Sequence, residues 1–320
     1  MSIVNLGVKT RHREFMKYAP RWEKIRRVLD SDCASYLRDV GKNEKDKAYG
    51  TARQTEYEDG AILYNFTART LSGMVGSVTS KTPTITLPDG ISYMAEDSNG
   101  QGKSLMSAAS DALREVMSVG RGAFLVDVPN VPDGTVSLAD QQAGAIRPYM
   151  TWYDAECVVN WRKDGSQIIL LELFEYQSQE NEFYTHIGER YRVCELVDGY
   201  YRQRVYEFEQ QGKEPYSEKV IEPRIRGQRM NFIPIVVVGS NNNDLSIDPP
   251  PLTPLAELNI GHYRNSADNE EASFVCGQPT MFMSIGNNMS HEQFAEANPD
   301  GVKIMCSAMA VSRILCRPMR

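Results

Sequence analysis

PPPLTPLAELNIGHYRNSADNEEASF, Pro249 to Phe274, reads as one long helix behind a proline stop, yet it loses its apolar face halfway along. Thr253 is placed to cap, Pro254 stands at the first helical position where a missing N–H costs nothing, and Glu257 falls in the first turn, where the helix end is positive. From Leu252 to Phe274 such a helix would run roughly 34 Å. Leu252, Leu255, Ala256, Leu258 and Ile260 make an ordinary apolar start. The second half offers only Tyr263, Ala267, Ala272 and Phe274, among Arg264, Asn265, Asp268, Asn269, Glu270 and Glu271. A helix polar on most sides bridges between domains, contacts neighbouring chains, or does not fold alone.

Working back from this helix, NNNDLSIDPPPLTP reads as a linker, and the third of the chain from Arg147 to Gly239 has a different texture. RPYMTWYDAECVVNWR, QIILLELFEYQ, ERYRVCELVD, YYRQRVYEFEQ and FIPIVVVGS are aromatic and β-branched runs separated by turn residues, which predicts a mostly antiparallel β region. YRQRVYEFE alternates as a strand with one wet face does.

The N-terminal part reads as helical. Phe15, Tyr18, Trp22, Ile25, Val28 and Leu29 recur at spacings of three and four, with Pro20 predicting a break into two short helices. GKNEKDKAYGTARQTEYEDG is expected to be a polar loop. Ile62, Phe66, Leu71, Met74 and Val78 then give another helical register, TPTITLP reads as a strand, Leu105–Val119 as a helix, and AFLVDVP as a buried strand. Beyond the long helix, PTMFMSI is a short candidate strand and SHEQFAEAN a short helix capped by Ser290. The expected architecture is α+β, with a helical part and short strands at 1–130, a β-rich region at 131–246, linker and long helix at 247–276, and an atypical tail at 277–320.

At 320 residues, 41% of them apolar, the chain has room for one large or two medium domains. No run approaches the roughly 18–20 apolar residues of a membrane span, and the first residues lack the apolar core of a signal peptide, so a cytoplasmic product without a membrane partner is expected. Six scattered cysteines without a C-x-x-C pair suggest buried free thiols rather than a zinc site or a disulfide framework. A net charge of −7 argues against tight binding to a phosphate backbone. Basic clusters at RHREFMKYAPRWEKIRR and EPRIRGQR can still touch an acidic partner, although solvated faces produce such runs more often.

Motifs of catalysis fail on inspection. DSNGQGKS ends in Gly102-Lys103-Ser104 before a helix, but Asp97 stands where a phosphate-binding loop needs its first glycine, so a loop with Ser104 as helix cap is the better reading. HEQFA at His291–Ala295 lacks the second histidine of a zinc-peptidase helix. No catalytic, cofactor-binding or metal-binding residues are assigned, and an enzyme is the weaker hypothesis.

Five phrases carry a family resemblance. AILYNFTARTLSGMVGSVTSKTPTITLP, GQGKSLMSAASDALREVMSVGRGAFLVDVP, RPYMTWYDAECVVNWR, FIPIVVVGSNNND and PPPLTPLAELNIGHYRNSADNEEASFVCGQPT, spread over about residues 10 to 300, resemble the portal proteins (head-to-tail connectors) of tailed bacteriophages. The branch is one often described only as a phage domain of unknown function. The resemblance implies a portal fold, in which a β-rich outer wing leads into a stem helix lining a DNA channel. It implies a homo-oligomeric ring, a dodecamer, at one capsid vertex of the virion, assembled in the host cytoplasm. The implied partners are the major capsid or scaffolding protein, the large terminase subunit as packaging ATPase, a head–tail adaptor, and double-stranded DNA passing non-specifically. It implies no catalysis and no cofactor of the chain's own.

On this reading the polar helix packs against copies of itself around a water-filled channel. Glu257, His262, Arg264, Asp268, Glu270 and Glu271 are then the candidates for the channel wall or for contacts between subunits, with Arg264 as a partner for the acids. Related portals continue through a second stem helix and a helical crown. Here VKIMCSAMAVSRILCRPMR shows neither strand alternation nor a helical stripe. A truncated or frame-shifted end beginning near Met305 is therefore expected, and an uninterrupted genomic frame stopping after Arg320 would sink that expectation. Two other readings stay open: a phage adaptor that binds partners through its β region without forming a channel, and a nucleotide-dependent enzyme using Gly102, Lys103 and Ser104.

Overall fold

A computed structural model describes residues 7–42, 47–128, 147–181, 184–208, 215, 217–225 and 227–277. Contacts divide the chain into two units, one formed by Met1–Tyr36 with Leu63–His262, the other by Leu37–Ile62 with Tyr263–Arg320. The described architecture is α+β, with every strand pairing antiparallel.

The larger unit opens with α1 (Arg13–Leu29), which runs unbroken through Pro20. The expected break does not occur because Pro20 lies on the exposed side, while Phe15, Trp22, Ile25 and Val28, all buried, fix both halves of the helix on one apolar stripe. His12 holds the start of the helix. Its backbone N–H donates to Val159 O (2.9 Å), its Nδ1 accepts from the Glu14 N–H (3.2 Å), and its ring stacks on Trp161 at 4.0 Å. Arg121 presents its guanidinium to the same indole at 4.3 Å and is buried there, which lowers its pKa to about 10 against the pull of Glu14, Asp244 and Asp248.

Helix α3 (Phe66–Val78) starts four residues later than the apolar register suggests, because Asn65 caps it by accepting from the Ala68 N–H at 2.9 Å. Thr67, Leu71 and Val75 form its buried stripe, so Phe66 and Val78 face out, contrary to the predicted register. Residues 82–88 form no strand. They are exposed or half-buried and pair with no neighbouring strand, and β propensity alone does not make one. Helix α4 (Leu105–Val119) has the predicted bounds, with the Ser104 hydroxyl accepting from the Ser107 N–H (3.1 Å) and Gly120 left-handed at the other end.

Strands β1 (Arg121–Asp127), β2 (Tyr149–Asp154) and β10 (Ile235–Gly239) form a sheet in the order β10-β1-β2. Gly122 lies directly under the Trp152 ring, where any Cβ would overlap the indole. A second sheet of consecutive hairpins, β3 (Val158–Asp164), β4 (Gln167–Asn181), β5 (Tyr184–Val197), β6 (Tyr200–Phe208) and β7 (Ser217–Ile221), fills the region read as β from the sequence. Two-residue strands β8 (Arg224–Ile225) and β9 (Gln228–Arg229) pair with each other.

Strand β6 alternates as expected, with Tyr201, Gln203 and Val205 turned inward. Gln203 belongs to a buried polar network that ties the two sheets. The Arg192 guanidinium on β5 donates to Glu175 on β4 (2.7 Å), to Asp127 on β1 (3.1 Å) and to the Gln203 carbonyl (2.8 Å), and Tyr153 on β2 donates to Glu175 (2.6 Å). Burial alone would push Glu175 up, but Arg192 and the Tyr153 hydroxyl hold it below its ordinary value.

The smaller unit contains α2 (Lys47–Gly60), in the stretch expected to be a polar loop. Only Gly50 and Tyr57 are buried along it, so no apolar period announces the helix. Of the thiols expected to be buried, Cys33 and Cys194 are, Cys157 is half-buried, and Cys276 is exposed. Cys306, Cys316, the PTMFMSI strand, the SHEQFAEAN helix and the tail lie outside the described residues.

Candidate functional site

The long helix is present as α5 (Thr253–Gly277). The loop before it is not a slack linker, since Leu245, Ile247 and Asp248 are buried and the Asp248 carboxylate accepts from the Asn241 and Asn242 amides (2.8 and 3.2 Å). Thr253 does not cap as expected. Its hydroxyl is buried without a hydrogen-bond partner, and the helix begins instead from a turn in which the Thr253 N–H donates to Pro250 O at 3.2 Å. Leu252, Ala256, Asn259, Ile260, Tyr263 and Ala267 form a buried stripe at spacings of three and four.

Asn259 is the polar member of that stripe. Its carbonyl accepts from both the backbone N–H and the hydroxyl of Thr67 (3.1 Å each), and its amide donates to Tyr64 O at 3.0 Å. In this way the start of α3 is fixed to α5. Asn259→Ala should therefore lower stability by about 2 kcal/mol, because the buried backbone N–H and hydroxyl of Thr67 lose their partner. Urea melts check this, and an unchanged midpoint would contradict it.

The six candidate residues separate into distinct settings. Glu257, expected to act on the helix dipole, instead points to Lys24 at 3.3 Å. His262 is exposed, and its ring meets Tyr64 and Phe66 edge-on at 5.7 and 5.8 Å. Leu258, one turn earlier, is 70% exposed, so this side of the helix carries an apolar surface. Arg264 and Glu270 are also exposed.

Asp268 and Glu271 are engaged within their own unit. Asp268 accepts from the Tyr57 hydroxyl (2.7 Å) and pairs with Arg38 (3.0 Å), while Glu271 pairs with Arg53 (2.9 Å) and Arg38 (3.4 Å). Burial, then the bond to Asp268, pushes the Tyr57 phenol up to about 12. No sequence motif marks Arg38, Arg53 and Tyr57 as partners of the long helix. The one local signal is the four-residue spacing of Arg53 and Tyr57, which puts both on one side of α2.

The loop at 97–104 closes on itself. Asp97 accepts from the Gly102 N–H (2.8 Å), Asn99 accepts from the Gln101 and Lys103 amides (2.9 and 3.1 Å), and Lys103 pairs with Asp111. The amides that would cradle a phosphate are thus taken by the loop's own side chains. His291 lies outside the described residues. Among the described residues no His, Cys, Asp and Glu group has the arrangement of a metal site, and no helix is long and apolar enough to cross a membrane.

No family model matches the chain, and a search of the curated proteins returns no match.

Proposed function

We propose that this chain is a portal subunit of a tailed bacteriophage, one of a ring of copies at a capsid vertex through which DNA is packaged and ejected. The observation that carries the reading is α5, a 25-residue helix that follows the β10 strand and the Asn-rich loop and exposes most of its circumference. Its buried stripe accounts for one side only, leaving the exposed Leu258, His262 and Glu270 for neighbours or for a channel.

In this reading Asp268 and Glu271 act within the subunit, since Arg38 and Arg53 neutralise them, so they serve as supports rather than as the acidic wall. The exposed apolar side at Leu258 and His262 is the better candidate for contact between copies. Capsid or scaffolding protein, the packaging ATPase and a head–tail adaptor are the partners this role requires, and the ATP chemistry belongs to the motor.

The internal pairing of the two acids also suits a non-channel adaptor that stays monomeric. Light scattering on the purified chain separates the two readings. The portal reading expects a particle close to twelve times the 36.1 kDa chain mass, with Leu258→Lys reducing its population. A monomer at all concentrations favours the adaptor.

A further inference from the structure

We propose that the outward face of α1 is a docking surface for an acidic, amphipathic segment of a partner protein. The buried stripe of Phe15, Trp22, Ile25 and Val28 turns Arg13, Met16, Lys17, Pro20 and Arg21 to solvent. Neighbouring cations of the same helix are used inside the chain: Lys24 pairs with Glu257, Arg26 with Glu115 and Glu156, and Arg27 with Glu23. Arg13, Lys17 and Arg21 pair with no carboxylate among the described residues. They form a ridge at one-turn intervals, about 6 Å apart along the axis. Carboxylates spaced one turn apart on a partner helix would match that repeat.

Two features favour a protein over a phosphate backbone. Met16 is 60% exposed beside the ridge and Pro20 is exposed within it, an apolar contribution for which a row of phosphates has no counterpart. The net charge of −7 also repels a polyphosphate at long range, whereas a short acidic segment experiences mainly the local field. The ridge is in part pre-ordered, since the Lys17 and Arg21 cations both lie over the Tyr18 ring, at 5.2 and 5.3 Å. Holding these long side chains in advance lowers the entropy lost on docking. The inference holds whether or not the chain forms a ring.

The test uses the full chain and a fluorescein-labelled synthetic helical peptide with Glu at i, i+4 and i+8 and flanking Leu, followed by anisotropy at low salt. Binding should weaken by about tenfold or more in the Arg13→Gln/Lys17→Gln/Arg21→Gln variant, on the scale of several lost charge pairs. Met16→Ser should weaken it severalfold at any salt, and Lys219→Gln, an exposed lysine on β7, should leave it unchanged. All substituted side chains are exposed, and circular dichroism checks that each variant folds. Absence of peptide binding, or equal binding by the triple variant, overturns the proposal. So does a 20-base-pair DNA duplex that binds more tightly than the peptide and is indifferent to Met16→Ser.

Discussion

Arg192→Met should destabilise the larger unit by about 3–5 kcal/mol, the usual cost of leaving buried charges without their partner. Glu175 and Asp127 would stay in a water-poor junction between two sheets, with Tyr153, Gln203, the Val128 N–H and the more distant Arg190 left to satisfy them. Methionine fills most of the arginine stem's volume, so the loss is electrostatic rather than a cavity. Two further results follow. Adding Glu175→Gln to Arg192→Met should recover part of the loss, because one unpaired charge is removed. The deficit should also shrink at low pH: Glu175, held below its ordinary value in the native protein, rises once Arg192 is gone and protonates more readily. Guanidinium melts at pH 5 and pH 8 measure both, and a loss under 1 kcal/mol would show that the network is not the joint between the sheets.

Glu172→Gln should have the opposite sign. Glu172 is 4% exposed between Leu171 and Leu173, faces Asn160 across the ladder, and has one carboxylate oxygen with no partner. Burial raises its pKa from 4.5 to about 8, against the pull of Asn160 and Arg11. A carboxyl raised in the folded state contributes fully below its unfolded pKa, and the contribution is lost as pH climbs from 4.5 towards 8. Glutamine is neutral throughout. The variant should match the parent near pH 4.5 and exceed it by on the order of 3 kcal/mol at pH 7 to 8. Thermal melts across that range test this, and a difference that does not change with pH would rule out a protonated Glu172 in the fold.

Much of the architecture was legible because local signals agreed with one another. The α4 boundaries follow from Ser104 and Gly120, and the hairpin sheet follows from turn residues between β-branched runs. The failures have physical causes. Pro20 does not break α1 because the apolar stripe outweighs one missing hydrogen bond, and α2 has no local signature because its contacts are polar and distant in sequence. For the long helix, the acidic residues could be read from composition. Which of them are already neutralised could not, since Arg38 and Arg53 lie more than 200 residues away from Glu271 in sequence. The capping role assigned to Thr253 failed because the preceding prolines supply a turn whose backbone starts the helix.

The exposed side of α5 is central to the functional reading, and negative-stain electron microscopy of the purified chain, with its mass in solution measured alongside, tests that reading most directly. Rings with a central hole, of a mass near twelve chains, are the expected result. A uniform population of monomers at every concentration would contradict the ring that the proposal requires.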